Sequence, residues 1–204
     1  MQRVDVIIRS FLFQVLAGAC CVFKIRTFRG IVELHNISMT AKKQNITLVS
    51  DSAGQSLAVA GSSYRILVSG KQTGGSYAVI DMLVPPGSGP GPHAHADMQE
   101  MFYIADGEVE FKTESGNHTA TKGALIHIPK GGEVHCFKNT SNALAHLICT
   151  VIPAGLDEFF EEVGQQVEAG VFMRPPVLGP EDMQRVKALA EKYGQQLYPP
   201  DFFG

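Results

Sequence analysis

Short apolar and β-branched segments recur between Thr47 and Ile152, and turn residues separate them. Asp106-Gly107 predicts a two-residue hairpin, Ser115-Gly116-Asn117 a second turn and Gly131-Gly132 a third. Segments of this length and spacing predict antiparallel strands rather than helices. The predicted strands are Ser56–Ala60, Tyr64–Val68, Tyr77–Val84, Met101–Ala105, Glu108–Thr113, Thr119–Lys122, Ala124–Ile128, Val134–Lys138 and Ala145–Ile152. This pattern predicts an all-β fold, a jelly-roll sandwich or barrel.

The spacing of apolar residues changes after Pro153, where they recur at the intervals of an α-helix. Leu156, Phe159, Phe160 and Val163 predict one amphipathic helix, and Pro180 is placed to begin a second. The expected buried stripe of the second helix is Met183, Val186, Leu189 and Tyr193. The fold class is therefore a jelly-roll β-barrel with two C-terminal α-helices packed on its outside.

The N-terminal residues 1–38 show neither pattern clearly. Residues 4–23 are mostly apolar, but Asp5, Arg9 and Gln14 interrupt them, so no transmembrane span of roughly 18 residues is predicted. A signal peptide over residues 1–21 is one interpretation; an added strand or helix, or an extension before a true start at Met39, is favoured. The expected organisation is an extension (1–38), a barrel (39–153) and a helical appendage with a tail (154–204).

Composition narrows the class of protein. The chain has 204 residues with 45% hydrophobic and 18% charged, enough for one domain with a real core. Seven Lys/Arg fall in residues 1–43, whereas the remainder is acidic, which argues against a nucleic-acid partner. The four cysteines do not form a disulfide framework pattern, so reduced thiols in a cytoplasmic protein are expected.

Candidate chemistry lies between Pro86 and Asn139. His93 and His95 are two apart, so an extended strand points both imidazoles to the same face. Glu100 is an odd number of residues further on, and the segment before it must bend or bulge to return it to that face. His135 arrives from a separate strand. Three imidazoles and a carboxylate suit manganese, iron, cobalt, nickel, copper or zinc better than calcium.

These residues resemble the two sequence motifs of the cupin superfamily. The first motif is matched by Gly87, His93, His95, Glu100 and Gly107 at full spacing. The second is matched by the following residues: Gly123, Pro129, Gly131, His135 and Asn139. The second motif differs from the family pattern in one interval, because three residues instead of two separate Gly131 from His135. Counting from Gly132 restores the usual two. The resemblance implies a cupin barrel with a divalent transition metal held by His93, His95, Glu100 and His135.

The size of the barrel and the helix containing Phe159-Phe160-Glu161-Glu162 also resemble quercetinase-like cupins, which cleave flavonols with dioxygen. That resemblance implies a dioxygenase acting on a small aromatic or enolisable chelating substrate, with Glu100 as the base. Phe102 and Ile104 share the face of Glu100, and with Phe137 they are the expected apolar wall of the substrate pocket.

Two other functions stay open at this point. Some cupins are non-catalytic sensors or metal-storage modules, although this sequence shows no helix-turn-helix segment. Others are sugar isomerases or epimerases, for which Arg65, Lys112 and Lys138 are the only cationic candidates in the barrel. A homodimer is also expected, because exposed edge strands and the apolar N-terminal stretch need to be covered.

Overall fold

The computed structural model describes residues 45–51 and 53–204 in full, and the backbone alone of residues 24–27 and 30–33. Contacts divide the chain into two units, Met1–Thr47 and Leu48–Gly204. In the first unit, the strands β1 (Lys24–Thr27) and β2 (Gly30–Glu33) pair antiparallel. The rest of the predicted extension lies outside the described residues.

The second unit contains the predicted jelly-roll strands. Its strands are β3 (Ser56–Val59), β4 (Ser62–Val68), β5 (Ala78–Val84), β6 (His93–His95), β7 (Gln99–Asp106), β8 (Glu108–Thr113), β9 (Gly116–Thr121), β10 (Leu125–Ile128), β11 (His135–Lys138), β12 (Ala145–Ile152), β13 (Gln165–Val167) and β14 (Gln195–Leu197). Its helices are α1 (Gly70–Thr73), α2 (Leu156–Val163) and α3 (Pro180–Lys192). Among the described residues no helix is both long and apolar enough to cross a membrane.

Two antiparallel sheets make up this unit. The seven-stranded sheet has the order β10-β7-β12-β5-β4-β3-β13, and the five-stranded sheet has the order β14-β6-β11-β8-β9. No ladder joins the two sheets within the described residues, so the expected barrel is an open two-sheet jelly roll. The predicted all-β class is confirmed, as are the two C-terminal helices.

Alternation along the strands explains how the sheets bury their inner faces. In β12, Ala145, Leu147, Cys149 and Val151 are buried, and each residue between them is partly exposed. Aromatic rings close the core where the sheets face each other. The Phe102 ring from the seven-stranded sheet lies 5.4 Å from Phe111 and 5.5 Å from Phe137 in the five-stranded sheet, measured between ring centroids.

The Asp106-Gly107 signal has a different role from the predicted hairpin. β7 and β8, which flank Gly107, belong to different sheets and do not pair, so this turn is a corner that carries the chain across the core. Gly107 has a φ of 72°, a conformation that favours glycine. The predicted turn at Ser115-Gly116-Asn117 does form a hairpin, since β8 and β9 are antiparallel neighbours.

The segment after Pro153 returns to both sheets. α2 buries Leu156, Phe159 and Phe160 as predicted. The predicted burial of Met183 is wrong: this side chain is 53% exposed, because α3 packs through its last turns, where Ala190 is fully buried. β13 pairs with β3, and β14 pairs with β6, so the predicted helical appendage also supplies one strand to each sheet.

Candidate metal centre

The three histidines of the predicted site lie on two neighbouring strands of the five-stranded sheet. His93 and His95 begin and end β6, and both point inward, as their two-residue spacing requires. His135 begins β11 and is the direct cross-strand partner of His93. Direct antiparallel partners have their side chains on the same side of the sheet, so the three rings converge.

Glu100 comes from the opposite sheet. It lies on β7, so the chain changes sheets between His95 and Gln99. The odd spacing between His95 and Glu100 predicts a bend or bulge, and the structure shows the reason for it. Residues 96–98 carry the chain from one sheet to the other, so the carboxylate faces the imidazoles from across the core.

The four side chains form one buried cluster. Their ligand atoms all lie within 4.8 Å of one another. His93 is 8% exposed, His95 and His135 are each 2% exposed, and Glu100 is 1% exposed. Glu100 Oε2 lies 3.2 Å from Nε2 of His95 and 3.2 Å from Nε2 of His135.

Backbone carbonyls define which nitrogen of two rings carries hydrogen. His93 Nδ1 lies 2.8 Å from the carbonyl oxygen of Gly91, and His135 Nδ1 lies 2.9 Å from that of Glu133. A carbonyl oxygen only accepts, so each Nδ1 donates. In the neutral ring the lone pair is then on Nε2, which is the nitrogen that faces the cluster. Such an outer hydrogen bond is the usual support of a metal-binding histidine.

The contact between His135 Nε2 and Glu100 Oε2 needs a cation. Both atoms carry lone pairs in the neutral-imidazole state, and at 3.2 Å they repel unless a proton or a metal ion lies between them. His95 also favours a bound cation, because neither of its buried ring nitrogens has a hydrogen-bond partner among the described residues, although Nε2 is close to Glu100. These donor atoms therefore fit a divalent transition metal ion.

Burial and neighbouring charges shift two pKa values in the cluster. Burial, reinforced by the neighbouring His135 ring, lowers the pKa of His93 to about 4, so this ring is neutral at physiological pH. Burial alone would raise the pKa of Glu100. Hydrogen bonds that His135 and His95 donate from Nε2, when a proton occupies that position in place of a metal ion, outweigh burial and hold the pKa of Glu100 below its ordinary value, so the carboxylate is ionised.

Comparison with known proteins agrees with this geometry. Residues 80–151 match the family model for the cupin domain. This segment is a cupin domain. A curated relative, quercetin 2,3-dioxygenase from Bacillus subtilis, is 25% identical over 113 residues, which cover 55% of this chain and 33% of the relative. The chain thus spans about a third of the length of that relative.

Solved structures of other proteins are also similar to the chain. A predicted oxalate decarboxylase from Thermotoga maritima is 23% identical, with a TM-score of 0.49, and the match covers 52% of this chain and 99% of the other. A sugar phosphate isomerase of the cupin superfamily from Silicibacter pomeroyi is 22% identical, with a TM-score of 0.42, and the match covers 47% and 61%.

Cys149 is a neighbour of the cluster that the sequence patterns do not single out. Its Sγ lies 4.0 Å from Glu100 Oε1, whereas His95 and His135 are nearest to Oε2. Burial raises the pKa of Cys149, so the thiol stays protonated and can act as a weak donor. Period-two alternation along β12 puts Cys149 on the inner face, which is the signal by which it could have been found.

Two other polar residues, Asn139 of the second motif and His146 outside the motifs, make hydrogen bonds away from the cluster. Asn139 is buried and donates from Nδ2 to the carbonyl oxygens of Val84 and Ala143, at 2.7 and 2.8 Å. This agrees with the prediction of a hydrogen-bonding role for Asn139. His146 Nε2 pairs with Asp81 at 2.5 Å, outside the cluster.

One cleft of the cupin domain reaches the cluster. It has a volume of about 370 Å³ and opens where β9 and β10, each an edge strand of its sheet, leave the jelly roll unclosed. Its lining residues are Phe111, Thr113, His118, Leu125, Ile126, His127, Ile128, Pro129, Glu133 and His135. A larger surface crevice of about 550 Å³ beside α1 and α2 has none of the four cluster residues in its lining.

The predicted pocket residues lie inside the core near this cleft. Phe102 and Ile104 share the inward face of β7 with Glu100, and they are 3% and 0% exposed. Phe137 is 3% exposed on the inward face of β11. Among the described residues that line the cleft, Phe111, which is buried, is the member of the same ring cluster, and none of these three residues is included. Their contact with substrate stays a prediction.

Proposed function

We propose that this chain is a metal-dependent dioxygenase that acts on a small aromatic or enolisable substrate with neighbouring oxygens. The observation that carries the proposal is the buried cluster of His93, His95, Glu100 and His135, whose lone pairs face one point. The similarity to quercetin 2,3-dioxygenase supports the choice of reaction over the other chemistries of the cupin fold.

The four cluster residues would hold iron, manganese, cobalt, nickel, copper or zinc. When bound, the metal supplies Lewis acidity to two chelating oxygens of the substrate. The four residues would leave part of the metal's coordination open for these oxygens, unlike a structural site, in which the protein fills every position. The core around the cluster excludes water, because Phe102, Phe111 and Phe137 pack against one another beside it.

The cleft determines which substrates fit. Its walls are mainly apolar, and no Lys or Arg is among the described residues that line it. The three cationic candidates for a phosphate clamp lie elsewhere: Arg65 is paired with Asp81 at 2.6 Å, and Lys112 and Lys138 do not line the cleft. This lining favours a neutral, planar substrate over a sugar phosphate, so isomerisation of a phosphorylated sugar is not favoured.

Glu100 has the position of the base. Its Oε2 lies 3.2 Å from the His95 and His135 rings and its Oε1 lies beside the Cys149 thiol, and this carboxylate would accept the proton from a substrate hydroxyl. The resulting enolate is electron-rich and supplies the four electrons that reduce dioxygen. Both oxygen atoms remain in the product, so the reaction balances without an external reductant.

The test measures metal content and oxygen uptake of the purified protein. The protein is loaded separately with each of the six metals and given flavonols, catechols and diketones in turn. We expect metal-dependent oxygen uptake, loss of metal in His95→Ala, and retained metal with about 10²–10⁴-fold slower uptake in Glu100→Gln. His127→Ala is the matched control for metal content, since His127 is exposed on β10 and outside the cluster.

A non-catalytic binding module is the second candidate function. The position of Glu100 among the three imidazoles favours it, because a carboxylate that binds a metal ion loses basicity. Under this function the wild-type protein binds metal and a chelating ligand but consumes no oxygen with any metal. Binding by isothermal calorimetry without uptake would replace the dioxygenase proposal with this one.

A further inference from the structure

The last strand of the chain flanks the two histidines of β6. β14 pairs with β6 in the register Gln195 to His95, Gln196 to Ala94 and Leu197 to His93. On its other side β6 pairs with β11 through one residue pair, His93 with His135. Most of the strand pairing that holds β6 is therefore contributed by the C-terminal segment, far from both cupin motifs in the sequence.

Gln195 is buried beside His95. It is 6% exposed, whereas the next residue, Gln196, is exposed. Directly opposed residues of an antiparallel pair lie on the same side of the sheet, with Cβ atoms about 4.5–5.5 Å apart, which a glutamine side chain spans. Within the part of the chain that the structure describes, Gln195 Nε2 is buried without a hydrogen-bond partner, and so are both ring nitrogens of His95.

His95 lacks the outer hydrogen bond that its two companions have. His93 and His135 each donate from Nδ1 to a backbone carbonyl, but His95 Nδ1 has no such acceptor. His95 Nε2 lies on the cluster side, 3.2 Å from Glu100 Oε2. If Nε2 binds the metal, the single hydrogen of the neutral ring is on Nδ1, and a buried N–H without an acceptor costs free energy.

We propose that Gln195 is a positioning residue that accepts this hydrogen bond. A half-turn rotation of the Gln195 amide places Oε1 where the unpartnered Nε2 now lies. Both orientations fit the same space, because the O and N ends of an amide have the same shape. Nδ1–H of His95 then donates to Gln195 Oε1, which holds the ring with Nε2 towards the cluster. The inference rests on the metal site of the proposed function but not on the dioxygenase reaction.

The first experiment compares metal affinity among variants of the full chain by zinc competition with a chelator. We expect Gln195→Leu to bind zinc about 10–100-fold more weakly than wild type, the usual effect of losing an outer-shell partner. Gln195→Glu keeps an acceptor and should restore binding to near the wild-type affinity. Gln196→Leu makes the same change one residue away on the exposed face and should bind as wild type does.

The second experiment reads the tautomer of His95 directly. Nitrogen-15 NMR of histidine-labelled protein, with and without zinc, shows which ring nitrogen is protonated and how fast that hydrogen exchanges. We expect a slowly exchanging Nδ1–H on His95 in wild type and Gln196→Leu, and rapid exchange in Gln195→Leu. Circular dichroism checks that each variant is folded. If Gln195→Leu does not fold, the NMR spectrum of the wild-type protein alone shows whether His95 carries its hydrogen on Nδ1.

The two proposals fail in different ways. If the wild-type protein binds no transition metal, the proposed function fails, and a protected Nδ1–H on His95 still supports its contact with Gln195. If the wild type binds zinc and Gln195→Leu binds it equally well, or His95 carries its hydrogen on Nε2, the inference about Gln195 is overturned while the metal site stands.

Discussion

At the scale of single residues, the cluster depends on contacts that fix how each ligand atom is aimed. Two histidines are aimed by the carbonyl oxygens of Gly91 and Glu133. Those carbonyls are backbone groups two residues before their histidines, so any sequence that folds this way supplies them. The sequence shows the ligand types, and their spacing predicts that they share a face. Neither carries information about such backbone contacts.

Cys149 gives a prediction at this scale. Its thiol lies 4.0 Å from Glu100 Oε1, and a weak donor there helps to keep Oε2 turned towards the imidazoles. Cys149→Ala should weaken metal binding by about fivefold, the equivalent of about 1 kcal/mol for one lost hydrogen bond. Cys149→Ser keeps a donor and should bind metal within about a factor of two of wild type. Chelator competition measures both affinities.

Cys136 supplies the control for this prediction. It follows His135 directly but is half-buried on the outward face of β11, so Cys136→Ala should leave the metal affinity unchanged. Equal binding by Cys149→Ala and wild type would show that the thiol only fills space beside Glu100.

At the scale of elements, strand positions were predictable and strand partners were not. Alternation of apolar residues is a local signal, and it identifies β4, β5, β8 and β12. Pairing is non-local, so β7 and β8 are predicted as a hairpin although they lie in different sheets. β13 and β14 are short and rich in glutamine, without a strand signature, and they form because the edges of β3 and β6 are there to pair with.

Gly107 provides the prediction at this scale, since it makes the corner between β7 and β8. A Cβ at this position would lie 2.7 Å from the carbonyl oxygen of Leu144, and the φ of 72° adds the cost of the left-handed region. Gly107→Ala should lower the free energy of unfolding by about 2–4 kcal/mol, since strain and overpacking add. Urea unfolding with an unchanged m-value measures this loss.

Gly74 is the matched control for the corner. It also has a positive φ, 64°, but a Cβ there meets no atom within 4 Å. Gly74→Ala should therefore cost only the backbone contribution of about 1–2 kcal/mol. Equal losses in the two variants would mean that close packing against Leu144 contributes nothing to the corner.

At the scale of the whole molecule, the predicted boundaries, the homodimer and the cytoplasmic location stay predictions. Light scattering tests the homodimer, for which the expected mass is twice the 22.1 kDa of one chain. The described residues show exposed apolar side chains in the connection between α2 and α3, including Val171, Phe172 and Val177. Single exposed apolar residues are normal on a monomer, so they leave the assembly state to that measurement.

The metal cluster joins the two sheets, and this leads to a prediction for the stability of the molecule. Glu100 lies on one sheet and the three histidines lie on the other, so a bound ion adds a cross-link that is lost when the sheets separate. Because the ion binds the folded state, metal at about 1,000 times its Kd should stabilise the protein by about 4 kcal/mol. Thermal unfolding with and without zinc should show this as a rise in Tm. His127→Ala should keep the full rise and His95→Ala should lose it, whereas an equal rise in both would place the ion outside the cluster.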